Sequence, residues 1–166
     1  DIRTLLGKAA VQHMVRAMRQ ALKISNEESD EMQGTMEGIA PLLADERPRV
    51  ATMKRFLATP TAGQSRALME AMARVGIQGE RIGWLRDQLK ELEKTEYAPK
   101  PLITGDDLTA AGLEPGPVFR RVLEAVYDAQ LEGRVGSREE ALKMGVEIAG
   151  GRDGTKGTKA RRHEGT

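Results

Sequence analysis

Two adjacent carboxylates, Asp106 and Asp107, come nearest to catalytic chemistry by residue type and spacing. Paired carboxylates can hold the metal ions of a nucleotidyl transfer. Such a pair usually follows a strand, often as Asp-x-Asp, and no strand is predicted before this one. Acidic side chains in the first turn of a helix complement the helix dipole. We therefore interpret the pair as the acidic start of a helix rather than as a catalytic site.

The remaining polar residues give little support for metal ligation or nucleophilic catalysis. The two histidines, His13 and His163, lie far apart in sequence, and the chain has neither a cysteine nor an HExxH motif. The serines fall in ordinary helical contexts, without the positioned base that a nucleophile needs. No glycine-rich phosphate loop of the P-loop or dinucleotide type occurs. The sequence therefore predicts no metal site and no catalytic residue in this chain.

A glycine-containing turn is the sharpest candidate for ligand binding. Gly112 and Gly116 flank it, and Pro117 then begins a helix that carries Arg120 and Arg121 near its start. Backbone N–H groups at a helix N-terminus attract anions, and two arginines behind them suit a nucleic-acid phosphate. A plain helical hairpin, in which the glycines serve only the turn, has the same pattern. Spacing alone leaves both interpretations open.

Composition predicts an all-α fold with an aliphatic core. Of 166 residues, 39% are hydrophobic but only 3% are aromatic, and strand-forming residues are sparse. The 26 basic and 25 acidic side chains leave a formal net charge of +1, so net charge identifies no partner. No run of about 18 apolar residues predicts a transmembrane helix. The chain begins at Asp1 rather than Met, which we interpret as a fragment or a processed chain.

Hydrophobic periodicity places helices along most of the chain. We expect a body of five helices, over residues 3–24, 25–44, 48–58, 62–75 and 78–93. Ser25 and Glu28 have the spacing of a capping box at the start of the second helix. Pro41, inside that helix, points to a break near it. The first 95 residues thus read as an irregular helical body.

A second, smaller unit follows a proline-containing segment. Pro99 and Pro101 hold the chain extended, so we assign residues 96–103 as a linker. Residues 104–149 then form a helical tail unit with a short helix, the glycine-containing turn and two longer helices. Residues 150–166 are rich in glycine, threonine and basic residues, and we expect them to be disordered.

Several short motifs occur along the chain in a fixed order. Residues 22–28, LKISNEE, and residues 101–108, PLITGDDL, resemble the Leu-x-Leu-Ser-Asn-x-Glu and Pro-Leu-Leu-Thr-Gly-Asp-Asp-Leu stretches of class II CCA-adding tRNA nucleotidyltransferases, the bacterial poly(A) polymerase-like family. The match continues through residues 112–117, 128–133 and 137–141. Order and spacing agree over most of residues 15–145, with a weaker match over 45–95. Relatives often have glycine at the position of Arg120.

The resemblance implies a chain that consists of the all-α neck, body and tail of such an enzyme, the regions that hold tRNA. In that family a β-containing head domain performs nucleotide addition with Mg²⁺ and ATP or CTP, and the head's Gly-Ser and Asp-x-Asp motifs are missing here. We therefore expect a cytoplasmic, tRNA-binding chain without activity of its own, and we transfer no catalytic residue to it. The candidate RNA- or phosphate-binding residues lie in the tail unit: Lys100, Gly116, Arg120, Arg121, Arg134 and Arg138.

Further basic residues and two other functions stay open at this point. Lys143 in the tail unit and Arg81 and Arg86 on the fifth helix could also contact RNA, although a solvated helix face is the ordinary explanation for each. The glycine-containing turn could belong to a helix-hairpin-helix-like module that binds DNA nonspecifically. Alternatively, the chain could be a helical scaffold that uses a methionine stripe as an interface, although core packing is the better explanation of such a stripe. The stripe comprises Met14, Met18, Met32 and Met36.

Overall fold

A computed structural model describes residues 2–45 and 47–150 and places nine helices in them. They are α1 (Ile2–Leu5), α2 (Lys8–Leu22), α3 (Asn26–Ala44), α4 (Val50–Leu57), α5 (Ala62–Arg74), α6 (Gly79–Leu92), α7 (Gly105–Ala110), α8 (Pro117–Leu131) and α9 (Arg138–Gly150). The described residues contain no strand, so the all-α prediction is confirmed. The chain divides into two compact units, one up to Pro99 and one from Lys100. The segment expected to be disordered lies outside the described residues from residue 151 onward.

The expected first helix, over residues 3–24, is wrong in one respect, because it is split into α1 and α2 at Leu6 and Gly7. Gly7 has an extended backbone (φ −62°, ψ 138°), and glycine costs about 1 kcal/mol relative to alanine inside a helix. Val11 and Val15 of α2 are buried, and α2 packs against α3. The methionine stripe runs along these two helices, with Met18 exposed and the other three half-buried.

Ser25 and Glu28 form the predicted capping box at the start of α3. The Glu28 N–H donates to Ser25 Oγ at 3.1 Å, and the Ser25 N–H donates to Glu28 Oε2 at 2.8 Å. The bond from the Ser25 N–H, and then the bond with its hydroxyl, hold the pKa of Glu28 below its usual value. These bonds satisfy backbone donors that would otherwise lack partners at the helix start.

The expected break near Pro41 is wrong, because α3 continues through this proline to Ala44. A proline inside a helix removes one backbone hydrogen bond and crowds the preceding turn. The two residues that follow it, Leu42 and Leu43, are almost fully buried in the core. Most helical stability in proteins comes from such packing rather than from local propensity, so burial keeps the last turn helical.

The core of the first unit forms around α3, which packs against α4 and α5. Gly38 brings α3 and α5 close together, because a Cβ placed there would lie 2.9 Å from Ser65 Oγ. The buried Ser65 hydroxyl donates to Thr35 O at 2.8 Å and ties the two helices. The buried side chains of this core are Ile39, Leu42, Leu43, Met53, Phe56, Leu57, Met69, Ile82, Leu85 and Leu89.

The second unit is built on α8 and α9, which pack together and against the short α7. Gln130 fastens the preceding chain to α8, since its Nε2 donates to Lys100 O at 2.8 Å and its Oε1 accepts from the Leu102 N–H at 3.1 Å. Residues 100–103 therefore lie against this unit, and the linker assignment of 96–103 stays a prediction. The buried core comprises Ile103, Leu108, Val122, Val126, Ala129, Val135 and Ala141.

Candidate nucleic-acid interface

The turn between α7 and α8 leaves the N-terminus of α8 exposed. Gly112 adopts a left-handed backbone (φ +87°) that favours glycine. Gly116 precedes α8 as its N-cap with an extended backbone (φ −177°, ψ −177°), and Pro117 occupies the first helical position. Gly116 has no side chain that could cap this terminus. Only Gly112 is therefore required for its conformation, whereas any residue could adopt the backbone of Gly116.

Arg120 and Arg121 lie just behind this terminus and face solvent. The Arg120 side chain is 87% exposed, and its Nε donates to Glu124 Oε1 at 3.1 Å, one helical turn further on. Exposed pairs of this kind contribute at most about 1 kcal/mol. The Arg120 guanidinium can therefore exchange its carboxylate partner for a phosphate at little cost.

Two other candidate arginines are also held by carboxylates. Arg134 Nη2 lies 2.7 Å from Glu132 Oε2, and Arg138 forms a hydrogen-bonded ion pair with Asp107. Asp107 also accepts from the Thr104 N–H at 2.7 Å. The Arg138 guanidinium, followed by the Thr104 N–H, holds the pKa of Asp107 below its usual value. Asp107 therefore fixes the start of α7 and ties it to α9, in line with its interpretation as a helix-start residue.

The six candidate residues fall into two groups rather than one cluster. The turn group comprises Gly116, Arg120 and Arg121, at the start of α8. The distal group comprises Lys100, Arg134 and Arg138, because Lys100 O is bonded to Gln130 and the Arg134 N–H donates to Ala129 O near the end of α8. Nine residues of α8, about 14 Å of helix, separate Arg121 of the turn group from Gln130, which is bonded to Lys100. Lys143 lies exposed on α9.

Arg81 and Arg86 of α6 belong to neither the turn group nor the distal group. Arg81 Nη2 donates to Leu42 O at 3.2 Å and to Asp45 O, so it satisfies carbonyl groups at the end of α3. Arg86 is exposed and lies 3.7 Å from Glu70. The sequence did not indicate that Arg81 caps the end of α3. That helix has no basic residue in its own last turn, and the donor to its final carbonyl groups comes from α6 instead.

Candidate metal ligands are scattered among the residues that the structure describes. No group of three or more histidine or acidic side chains there is placed to hold a metal ion. His13 lies exposed on α2, and His163 is outside the described ranges. No described helix is long and apolar enough to cross a membrane.

Similarity to known proteins extends over most of the chain. It is 31% identical over 152 residues, 89% of its length, to the CC-adding tRNA nucleotidyltransferase of Thermus thermophilus. This chain resembles tRNA nucleotidyltransferases. It is also 38% identical over 47 residues, 28% of its length, to the A-adding tRNA nucleotidyltransferase of Geobacter sulfurreducens. The resemblance predicted from the motifs is thereby confirmed.

The similarity is to a part of these enzymes. The matched region spans 35% of the Thermus relative and 5% of the Geobacter relative. The chain thus spans about a third of the length of the first. No protein-family model matches the chain, and no solved structure matches it.

Proposed function

We propose that this chain is the tRNA-binding neck, body and tail of a tRNA nucleotidyltransferase. It positions the 3′ end of tRNA for a catalytic head domain that it does not contain. The supporting observation is the 31% identity to a CC-adding enzyme over 89% of the chain. The head domain supplies the Mg²⁺ and the ATP or CTP of the parent enzyme, which acts in the cytoplasm. By this proposal the isolated chain has no nucleotidyltransferase activity.

Its residues act by holding phosphates rather than by reading bases. Proteins recognise RNA duplexes mainly by shape, phosphates and 2′-hydroxyls. The turn group and the distal group, about 14 Å apart along α8 between Arg121 and Gln130, let the second unit contact an RNA backbone at two places. Because the net charge is only +1, we expect modest affinity, with about three to five phosphates contacted and a slope of log affinity against log salt of roughly −2 to −4.

The first test is a salt titration of the isolated chain against tRNA, with a DNA hairpin of equal length as competitor. Preferential, salt-dependent binding of tRNA is the expected result. Equal binding of both would instead indicate a nonspecific nucleic-acid-binding module of the helix-hairpin-helix kind. A salt slope near zero, or no binding of either ligand, would count against RNA binding and favour a scaffold.

The second test removes the turn-group charges. Arg120→Gln/Arg121→Gln is compared with Arg74→Gln/Lys90→Gln, which removes two exposed charges from the first unit. The turn-group variant should weaken tRNA binding roughly 10-fold more than the control, since each of the two exposed ion pairs with phosphate contributes at most about 1 kcal/mol. Equal affinities of the two variants would remove the turn group from the interface.

A further inference from the structure

A polar pocket lies between α2 and α3, within the first unit and outside the two candidate groups. Its volume is about 260 Å³. Gln12, Arg16 and Arg19 of α2 line one side, and Ser29 and Asp30 of α3 line the other. Gln12, Arg16 and Arg19 have the spacing of one helix face. Val15, which also lines the pocket, is buried, whereas Gln12, Arg16, Arg19 and Asp30 form an exposed polar rim.

Ser29 contributes a buried hydroxyl to this pocket. The residue is only 7% exposed, and its Oγ has no hydrogen-bond partner in the part of the chain that the structure describes. Buried polar groups are nearly always satisfied, and one that is not calls for an explanation. A ligand in the pocket that accepts a hydrogen bond from Ser29 supplies the missing partner.

The charge of the pocket identifies an anion as that ligand. Neither Arg16 nor Arg19 forms an ion pair with any described residue. Two guanidinium groups and the single carboxylate of Asp30 leave the lining with an excess of positive charge. Guanidinium donors match the oxygens of a phosphate with good geometry. A phosphate group has enough oxygens to accept from both arginines and, after rotation of its side chain toward the pocket, from Ser29.

We propose that the α2–α3 pocket binds a backbone phosphate of the RNA that this chain holds. Arg16 and Arg19 donate to its oxygens, and the Ser29 hydroxyl donates to a third position. This inference rests on the proposed function and adds a contact in the first unit, where none of the six candidate residues lies. The carboxylate of Asp30 repels a phosphate, so both arginines are needed.

Binding of the group itself is tested with inorganic phosphate. Titration of the full chain, followed by ¹H–¹⁵N NMR, should shift the Ser29 amide and the Nε–H signals of Arg16 and Arg19 to saturation. Ser29→Ala, which keeps both charges, should weaken phosphate binding several-fold. Arg16→Gln/Arg19→Gln should abolish it. Unchanged Ser29 and arginine signals at saturating phosphate would overturn the proposal.

Binding of RNA is tested by fluorescence anisotropy with labelled tRNA. Arg16→Gln/Arg19→Gln should bind roughly 10-fold more weakly than Arg74→Gln/Lys90→Gln, with a salt slope less negative by about one, as expected for one lost phosphate contact. Ser29→Ala keeps both arginines, so it tests the pocket even if the double variant misfolds. It should also weaken tRNA binding.

The outcomes separate this proposal from the proposed function. If the unaltered chain does not bind tRNA, the proposed function fails, and with it the RNA contact. If the unaltered chain binds tRNA while the pocket variant and the control variant bind equally, only the pocket proposal is overturned. Saturable phosphate shifts without a loss of tRNA affinity would assign the pocket to free phosphate and would likewise overturn the RNA contact.

Discussion

At the scale of single residues, the fold gives its basic side chains distinct tasks. Arg81 satisfies backbone carbonyl groups at the end of α3, and Arg138 holds Asp107 at the start of α7. Arg120 is paired with an exposed glutamate, and Arg16 and Arg19 line a pocket without an ion-pair partner among the described residues. A guanidinium that is already hydrogen-bonded within the fold has fewer N–H donors left for a ligand.

Arg81→Ala tests an arginine whose hydrogen bonds serve the fold. The substitution leaves Leu42 O and Asp45 O without their side-chain donor. We expect the free energy of unfolding to fall by about 1–2 kcal/mol, because Leu42 O is partly buried and leaving such a group unsatisfied carries a penalty of that order. Urea denaturation followed by circular dichroism measures it. The control, Arg86→Ala, should stay within about 0.5 kcal/mol of the unaltered chain, since it removes an exposed side chain. A loss of tRNA affinity in Arg81→Ala at full folding would contradict the assignment.

The ion pair of Asp107 predicts a pH dependence of stability. Its pKa is lowered in the folded state, chiefly by the bond from Arg138, so folding favours the ionised form. This contribution is present above the unfolded pKa, near 4, and is lost as the pH falls through the lower folded pKa. Urea denaturation of Asp107→Asn and of the unaltered chain should therefore differ at pH 7 and converge in strong acid. An equal difference at both extremes would contradict the assignment.

At the scale of helices, α3 shows what sequence patterns predict and where they stop. Its start was predicted correctly because a capping box is a local pattern of two residues three positions apart. Its continuation through Pro41 was not, since burial of Leu42 and Leu43 depends on residues distant in sequence. Gly34 and Gly38 read locally as weak helix positions, yet they let α5 approach closely.

Gly38→Ala separates the low helix propensity of glycine from the close approach of α5 that glycine allows. Alanine favours a helix by about 1 kcal/mol over glycine, but here its Cβ would lie 2.9 Å from Ser65 Oγ. The hydroxyl of Ser65 is itself held by Thr35 O, so it cannot move without losing that bond. We expect a net destabilisation of about 1–3 kcal/mol in thermal or urea unfolding. Gly63→Ala is the matched control, because nothing lies within 4 Å of the added Cβ, and it should be neutral or stabilising.

At the scale of the whole molecule, the fold class and the resemblance were accessible from the sequence, while the distribution of the basic residues was not. Helical periodicity and motif order are local or linear properties. The separation of the candidate residues into a turn group and a distal group follows from the length of α8 and the bond of Gln130 to Lys100. The α2–α3 pocket requires knowing which faces of two helices meet, and nothing in the spacing of Arg16, Arg19 and Ser29 indicated it.

If both units hold one tRNA, their contributions to binding should add. Arg16→Gln/Arg19→Gln changes the first unit and Arg120→Gln/Arg121→Gln the second, and among the described residues the two pairs share no hydrogen-bond partner. Substitutions without shared partners usually have additive free energies. The quadruple variant should therefore lose the product of the two fold-changes, roughly 100-fold in tRNA affinity, and its salt slope should lose the sum of the two changes in slope. Anisotropy titrations of all four chains complete this cycle. If the quadruple variant binds tRNA as tightly as the weaker-binding double variant does, the two regions do not hold the same RNA molecule together.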